Sequence, residues 1–259
     1  MTQGRGTSGL ASHRLFVVVP FYQEERLLPA TLAALSAQSD TEFSIVLVDN
    51  GSTDASSAIA NRFAATSAIP THVLVEPQKG TGAAADTGFR TAMALGATLI
   101  ARTDADCLPR QDWVACLRDA FEREGLEFVA GRIRPRADEG LSLCERWVLP
   151  LMVLLAERYG RYARRGPQFR YPYFMAAGNN LAITSALYER AGGFPRTAIE
   201  VAHEDRALSE RVRELTDRAA VRDDMVVFNS VRRVRAYGFV NVLRWYRNHG
   251  YTPSVVDVR

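Results

Sequence analysis

Asp104-Ala105-Asp106 has the clearest chemical potential of any short segment in this 259-residue chain. It follows the run Thr98–Arg102, which reads as a strand, so both carboxylates stand at a strand end. Carboxylates at alternate positions can direct oxygen ligands at one hard cation, and Mg²⁺ or Mn²⁺ keeps positions open there for substrate phosphates. A metal that bridges a diphosphate stabilises the charge on a leaving group. Capping of a helix is the competing reading of an Asp-x-Asp triplet. The strand end favours the ligand reading, because open α/β sheets bind ligands outside the carboxyl ends of their strands.

Other polar residues fall at equivalent places. Glu24 follows the apolar run Leu15–Pro20, and Asp49 closes the run Phe43–Val48. Within Asp49-Asn50-Gly51-Ser52-Thr53-Asp54, Ser52, Thr53 or Asp54 is expected to cap a helix. Asp49 itself is placed to accept hydrogen bonds from an imide or a hydroxyl. Lys79-Gly80-Thr81-Gly82 resembles a phosphate cradle, but the Gly-x-x-x-x-Gly-Lys spacing is absent and no Gly-x-Gly-x-x-Gly follows the first strand. Lys79 is left either to meet phosphate or to be solvated. Asp86 and Arg90, four apart, read as a surface pair. Gly178-Asn179-Asn180 suits hydroxyl contacts or a plain turn. His203-Glu204-Asp205 opens a helix, where acidic residues are stabilising by themselves. The alternative role for one of these carboxylates is to take a proton from an attacking hydroxyl. His203 and His249 are candidates to complete a metal shell.

The elements that must hold these residues alternate. Leu15–Pro20, Phe43–Val48, Thr71–Val75, Thr98–Arg102 and Phe128–Ile133 read as strands, the first two as buried parallel ones. Between them come a helix with Leu28, Leu32 and Leu35 on one face, a helix to about Ala65, a loop and helix over 80–96, and a helix opened by Pro109 with Trp113, Leu117 and Phe121 on one stripe. This order predicts an α/β fold, with a Rossmann-like, mostly parallel central sheet and helices on both faces. Asn180–Thr184 reads as a short strand and Glu204–Leu215 as a helix. Leu141–Ala156 is a strongly apolar helix. Its core, Trp147–Ala156, contains Pro150 and falls short of the ~20 apolar residues of a membrane span. It is expected to be buried, with a membrane-surface position as the alternative.

The bulk composition, 47% hydrophobic and 24% charged, is that of a soluble globular protein, expected in the reducing cytoplasm. Residues 1–12 read as a flexible tail without the apolar region of a signal peptide. Cys107, Cys116 and Cys144 have no paired spacing. Residues 1–129 carry 10 basic and 15 acidic groups, whereas residues 130–259 carry 22 and 14. The basic half either faces an anionic partner or is a solvated arginine surface.

Four segments together resemble the family 2 glycosyltransferases of GT-A fold. They are Val17-Val18-Val19-Pro20-Phe21-Tyr22-Gln23-Glu24-Glu25, Val46-Leu47-Val48-Asp49-Asn50-Gly51-Ser52-Thr53-Asp54, Asp104-Ala105-Asp106 and His203-Glu204-Asp205. The resemblance covers roughly residues 14–215. It implies a nucleoside-diphosphate-sugar donor, with UDP the commonest base, and sugar transfer usually with inversion. It implies a nucleotide pocket from Pro20, Phe21, Glu24 and Asp49, with Asp104 near ribose and diphosphate. Asp106 becomes a ligand for Mg²⁺ or Mn²⁺, and Asp205 the general base beside Glu204. Residues 13–130 become the nucleotide-sugar half. Residues 131–259 become the acceptor and base half, with a mixed architecture and a basic C-terminal extension. The acceptor stays open between a lipid phosphate and a soluble small molecule, with peripheral membrane contact compatible and no nucleic-acid partner expected. The Gln-x-x-Arg-Trp motif of processive synthases is missing, Leu243-Arg244-Trp245 being a partial echo, which favours single transfer. The rivals are a nucleotidyltransferase, which lacks its Gly- and Arg-rich loop here, and a non-catalytic sugar-nucleotide-binding protein.

Overall fold

The computed structural model describes residues 13–196, 204–238 and 241. Its elements in chain order are β1 (Leu15–Phe21), α1 (Leu28–Ser36), β2 (Phe43–Asp49), α2 (Ser56–Thr66), β3 (Thr71–Val75), α3 (Thr81–Ala94), β4 (Leu99–Arg102) and β5 (Cys107–Pro109). There follow α4 (Trp113–Glu122), β6 (Phe128–Pro135), α5 (Leu143–Ala163), β7 (Leu181–Thr184), α6 (Ser185–Arg190), α7 (Glu204–Leu215), β8 (Ala219–Asn229) and α8 (Arg232–Tyr237). The eight strands form one sheet in the order β3-β2-β1-β4-β7-β6-β8-β5. The first four in that order are parallel to one another. Beyond β4 the sheet is mixed: β7 is antiparallel to both β4 and β6, β8 is parallel to β6, and β5 is antiparallel to β8.

Why the first strands read as unbroken apolar runs is visible in their packing. In β1, Val17 and Val19 join a core with Leu28, Leu32, Trp113 and Leu117, whereas Phe16 and Val18 join a second core with Phe89, Leu187 and Leu208. Helices α1 and α4 therefore cover one face and α3, α6 and α7 the other, so alternate residues are all buried. The expected α/β sheet with helices on both faces is present.

Three local expectations are corrected. Pro109 does not open a helix; it ends β5, and α4 starts at Trp113. Helix α2 starts at Ser56 rather than at a cap among residues 52–54, although Asp54 Oδ1 still accepts from the Ser56 N–H at 3.0 Å. The apolar helix α5 is not buried: Trp147, Leu151 and Leu154 are exposed. Strand β8 carries no clean alternation because its pairing is interrupted. Between Gly131↔Arg222 and Arg132↔Val226 the register skips Asp223, Asp224 and Met225.

Candidate active site

Two loops at the carboxyl ends of β1 and β2 are stitched together by short polar side chains. Gln23 has φ 55°, alone among the described non-glycine residues in the left-handed region. That conformation lets its N–H donate to Ser52 Oγ at 3.0 Å, while its Oε1 accepts from the N–H groups of Thr53 and Asp54 at 2.8 and 3.1 Å. The Glu24 N–H donates to Ser56 Oγ at 2.7 Å. Asn50 fastens the next loop: its Nδ2 donates to the Glu76 and Gln78 carbonyls, and its Oδ1 accepts from the Gly80 N–H. The turn and cap chemistry of this segment is therefore real, and it serves to hold loops at the strand ends.

Within this frame Asp49 is buried. Its Oδ1 accepts from the Ser52 N–H at 2.8 Å and its Oδ2 from the Ser57 hydroxyl. A carboxylate has about four lone-pair sites, so two donors leave it further capacity. Pro20 and Phe21 end β1, and the Phe21 ring lies in the core. Lys79 is not simply solvated. Its Nζ donates to the carbonyls of Asn50 and Gly51 at 2.9 and 3.1 Å and sits 3.9 Å from the centroid of the Tyr22 ring.

Asp104 and Asp106 stand where the sequence places them, just beyond β4, but each already has a cationic partner. Arg102, at the last position of β4, donates from Nε to Asp104 Oδ1 at 3.1 Å. Its Nη1 and Nη2 reach Glu204 Oε1, each at 3.3 Å. The guanidinium is buried between the Phe194 ring and Gly178, where a Cβ would come within 2.8 Å of Arg102 Cζ. Burial works against its charge, but Asp104, Glu204 and Asp205 outweigh it and make Arg102 more basic than a free guanidinium. On the other carboxylate, Arg232 Nη2 lies 3.0 Å from Asp106 Oδ2, and the same guanidinium forks onto both oxygens of Glu24. The Asp106 carbonyl accepts from Arg136 at 3.3 Å.

Glu204 and Asp205 form the first turn of α7. Asp205 Oδ2 accepts from the Gly178 N–H at 3.0 Å and Oδ1 from the Arg206 N–H at 2.7 Å. Burial raises its pKa above the usual aspartate value, with Asp104 adding to the rise, against the lowering by these N–H groups and by Arg102. Asp104 is likewise raised, first by burial and then by Asp106 and Glu204, against the pull of Arg102. The strand-end motif and the helix-start pair thus share one charge cluster, built on an arginine that spacing alone does not single out. Its signal in the sequence is a basic residue closing an otherwise apolar strand, two positions before a carboxylate. Arg232 has no such signal.

The donor set suits a hard cation, since Asp104 and Asp106 offer only carboxylate oxygens. Among the described residues no three His, Cys, Asp or Glu side chains converge on a ready-made metal cage. Mg²⁺ needs no such cage where one or two carboxylates and substrate phosphates complete its shell. The buried Asn179 Oδ1 and Thr103 Oγ1 carry no hydrogen bond; Thr103 lies between Arg102 and Asp104, and Asn179 follows Gly178, whose N–H meets Asp205. His203 and His249 lie outside the described residues. A cleft of about 770 Å³ opens beside the Glu24–Arg232 pair, with Gln23, Glu25, Asp54 and Arg235 in its walls. Asp49, Asp104 and Asp205 are not part of its lining.

Two of the motifs turn out to be structural. Asn180 is fully buried, accepts from Trp113 Nε1 at 2.8 Å and donates to the carbonyls of Arg132 and Met225, each at 3.0 Å. It closes the register break between β6 and β8. Asp86 does pair with Arg90 at 2.9 Å, but it is buried, and it also accepts from the Tyr188 hydroxyl and from Arg196. It ties α3 to the segments around α6 and is not a surface pair.

The family model described as Glycosyl transferase family 2 matches residues 16–179. Among curated proteins, the chain is 28% identical over 134 residues to the glycosyltransferase AglE of Haloferax volcanii, covering 51% of this chain and 43% of that protein. The chain therefore spans less than half the length of that relative. Among solved structures, the mannosyltransferase PcManGT of Pyrobaculum calidifontis, in complex with GDP-Man and Mn²⁺, matches with TM-score 0.63 and 24% identity over 90% of this chain and 64% of its own. Glucosyl-3-phosphoglycerate synthase of Mycobacterium tuberculosis, in complex with Mn²⁺, UDP and glucosyl-3-phosphoglycerate, matches with TM-score 0.56 and 19% identity over 98% and 88%. At these identities the two structures speak for the fold, which is that of the GT-A glycosyltransferases.

Proposed function

The chain belongs to glycosyl transferase family 2, and from that premise we propose that it moves a sugar from a nucleoside-diphosphate donor to an acceptor hydroxyl by a single inverting displacement. The observation that carries this reading is the Arg102 bridge, which joins Asp104 to Glu204 and puts Asp205 in the same charge cluster. Asp205 takes the proton of the acceptor hydroxyl. The freed oxygen bonds to the anomeric carbon as the bond from that carbon to the diphosphate oxygen breaks, and the electron pair leaves on the diphosphate. The transition state has oxocarbenium character, as in glycoside hydrolysis. A raised pKa suits Asp205 to this task, because a carboxylate of higher basicity accepts a proton more readily. Glu204 holds Arg102 in place through its Oε1.

Asp106, with Asp104, would hold a divalent cation, Mg²⁺ or Mn²⁺, which neutralises the donor diphosphate when bound. Mn²⁺ in the complexes of the two structural neighbours supports this assignment. Pro20, Glu24, Asp49 and Lys79 form the nucleotide side, with the Phe21 ring supporting it from the core, so that residues 13–130 take the donor and residues 131–259 supply the base and the acceptor side. UDP or GDP as the nucleotide is supported by the ligands of those neighbours. A thermal-shift screen over UDP- and GDP-sugars, with Mn²⁺, Mg²⁺ or a chelator, tests this reading. Stabilisation by at least one nucleotide sugar that disappears with chelator is expected, since a ligand stabilises the state it binds. No stabilisation by any sugar nucleotide contradicts the donor assignment, and stabilisation unaffected by chelator contradicts the cation.

A further inference from the structure

Helix α5 concentrates exposed apolar surface. Trp147, Leu151, Leu154, Leu155, Tyr159 and Tyr162 are all exposed, Trp147 at 72% and Tyr162 at 71%, and beyond α5 the described chain exposes only one large hydrophobic side chain, Val75. At helical spacing Trp147, Leu151, Leu154, Leu155 and Tyr162 fall within an arc of about 100°, Tyr159 lies about 40° beyond it, and the less exposed Val153, at 38%, is on the other side of the helix. The outward direction of this stripe is fixed by what anchors the opposite face. Glu157 is buried and pairs with Arg132 and Arg161. Gly160 lies on the Tyr173 ring, where a Cβ would come within 2.3 Å of Cε1. Arg164 pairs with Glu210 of α7.

Charge on the helix is one-sided. Its two acidic residues are engaged: Glu145 completes a capping box with Ser142 and pairs with Arg235, and Glu157 is buried. Its exposed charged residues are Arg146, Arg158 and Arg161, and Arg165 follows just beyond its C-terminal end. Arg165 lies 5.5 Å over the Tyr162 ring, and Arg158 sits inside the apolar arc. An apolar stripe with aromatic residues at its ends and arginines alongside is the pattern of a helix lying in the plane of a membrane interface. No helix among the described residues is long and apolar enough to cross a membrane. A second copy fits less well, because a two-fold contact would bring two arginine-bearing faces together with no exposed acidic residue of α5 to offset them, whereas anionic headgroups neutralise them.

We propose that the outer face of α5 docks on an anionic lipid surface, with α7, the helix that carries Asp205, on the opposite side of α5 from the membrane. The docking is independent of the transfer mechanism, so a failure of one leaves the other standing. The test is flotation of the full chain with phosphatidylcholine vesicles, with and without phosphatidylglycerol. Binding to the anionic vesicles alone, weakened by salt, is expected. The double variants Leu151→Ser/Leu154→Ser and Arg158→Glu/Arg165→Glu should each reduce bound protein by about tenfold, with thermal midpoint and nucleotide-sugar binding retained. The unaltered chain supplies a second readout: its tryptophan emission should shift to the blue on anionic vesicles, and Trp147→Phe should remove the shift. Three results overturn the proposal. They are no flotation with anionic vesicles at low salt, flotation undiminished in both variants, and a solution dimer that both variants dissociate.

Discussion

Arg102 and Glu204 meet across 102 positions of chain, with both terminal nitrogens of the guanidinium 3.3 Å from one carboxylate oxygen. Both side chains are buried, at 2% and 9% exposure. Removing one partner of such a pair leaves an uncompensated buried charge, at a cost of about 3–5 kcal/mol. Arg102→Met should lose that much stability in denaturant titration, and Arg102→Lys, which keeps the charge but not the fork, should lose less. Equal losses would show that shape, not charge, is what the site needs.

The pH dependence follows from Asp205. Burial raises its pKa, and the base is the ionised form, so transfer should fade as pH drops through a value above the ordinary aspartate range. The Arg102 charge opposes this rise. Removing that charge in Arg102→Met should therefore move the acid limb of kcat/KM further up. An acid limb at the ordinary aspartate value, or one that moves down in the variant, would contradict this electrostatic account.

Arg232 engages Asp106 and Glu24 together, so a cation at Asp106 must compete with a guanidinium. Burial disfavours the Arg232 charge, but the two carboxylates outweigh it and leave the group more basic than usual. Arg232→Gln should tighten Mn²⁺ binding to the nucleotide-free protein a few-fold, in keeping with ~0.5–1 kcal/mol for a pair partly open to water. Calorimetric titration of Mn²⁺ measures it. Unchanged or weaker Mn²⁺ binding would show that Asp106 does not exchange one cation for the other.

Asn180 makes a prediction about stability alone. Asn180→Ala leaves the Trp113 N–H and the Arg132 and Met225 carbonyls without their partner, and each unmet buried group costs about 1–3 kcal/mol. Urea titration should show a loss in that range or above it. A loss below it would mean that β6 and β8 hold their register without Asn180.

The parallel half of the sheet is legible in the sequence because Leu15–Phe21 and Phe43–Asp49 are buried on both faces and contain little but apolar residues up to their ends. The carboxylates that interrupt those runs mark strand ends by themselves. Beyond β4 the signals weaken for physical reasons. Strand β5 has three residues, β8 contains Arg222, Asp223 and Asp224 at a register break, and α5 shows its apolar face to solvent instead of to a core. In the site, Asp104, Asp106, Glu204 and Asp205 are recognisable from local pattern. Arg102 and Arg232 act through partners far away in sequence, and no local period records such a contact. Asn180 has the residue type of a ligand contact, and only its three internal partners reveal a structural part.

The central claim is that Asp205 is the base of a sugar transfer, and comparing Asp205→Asn with the unaltered protein tests it most directly. Release of nucleoside diphosphate from a nucleotide sugar is followed with Mn²⁺ or Mg²⁺ present, alongside the affinity for the nucleoside diphosphate itself. The account predicts turnover lower by about 10²–10⁴-fold, the usual contribution of a positioned base, with nucleotide affinity kept. Near-normal turnover in Asp205→Asn would contradict it.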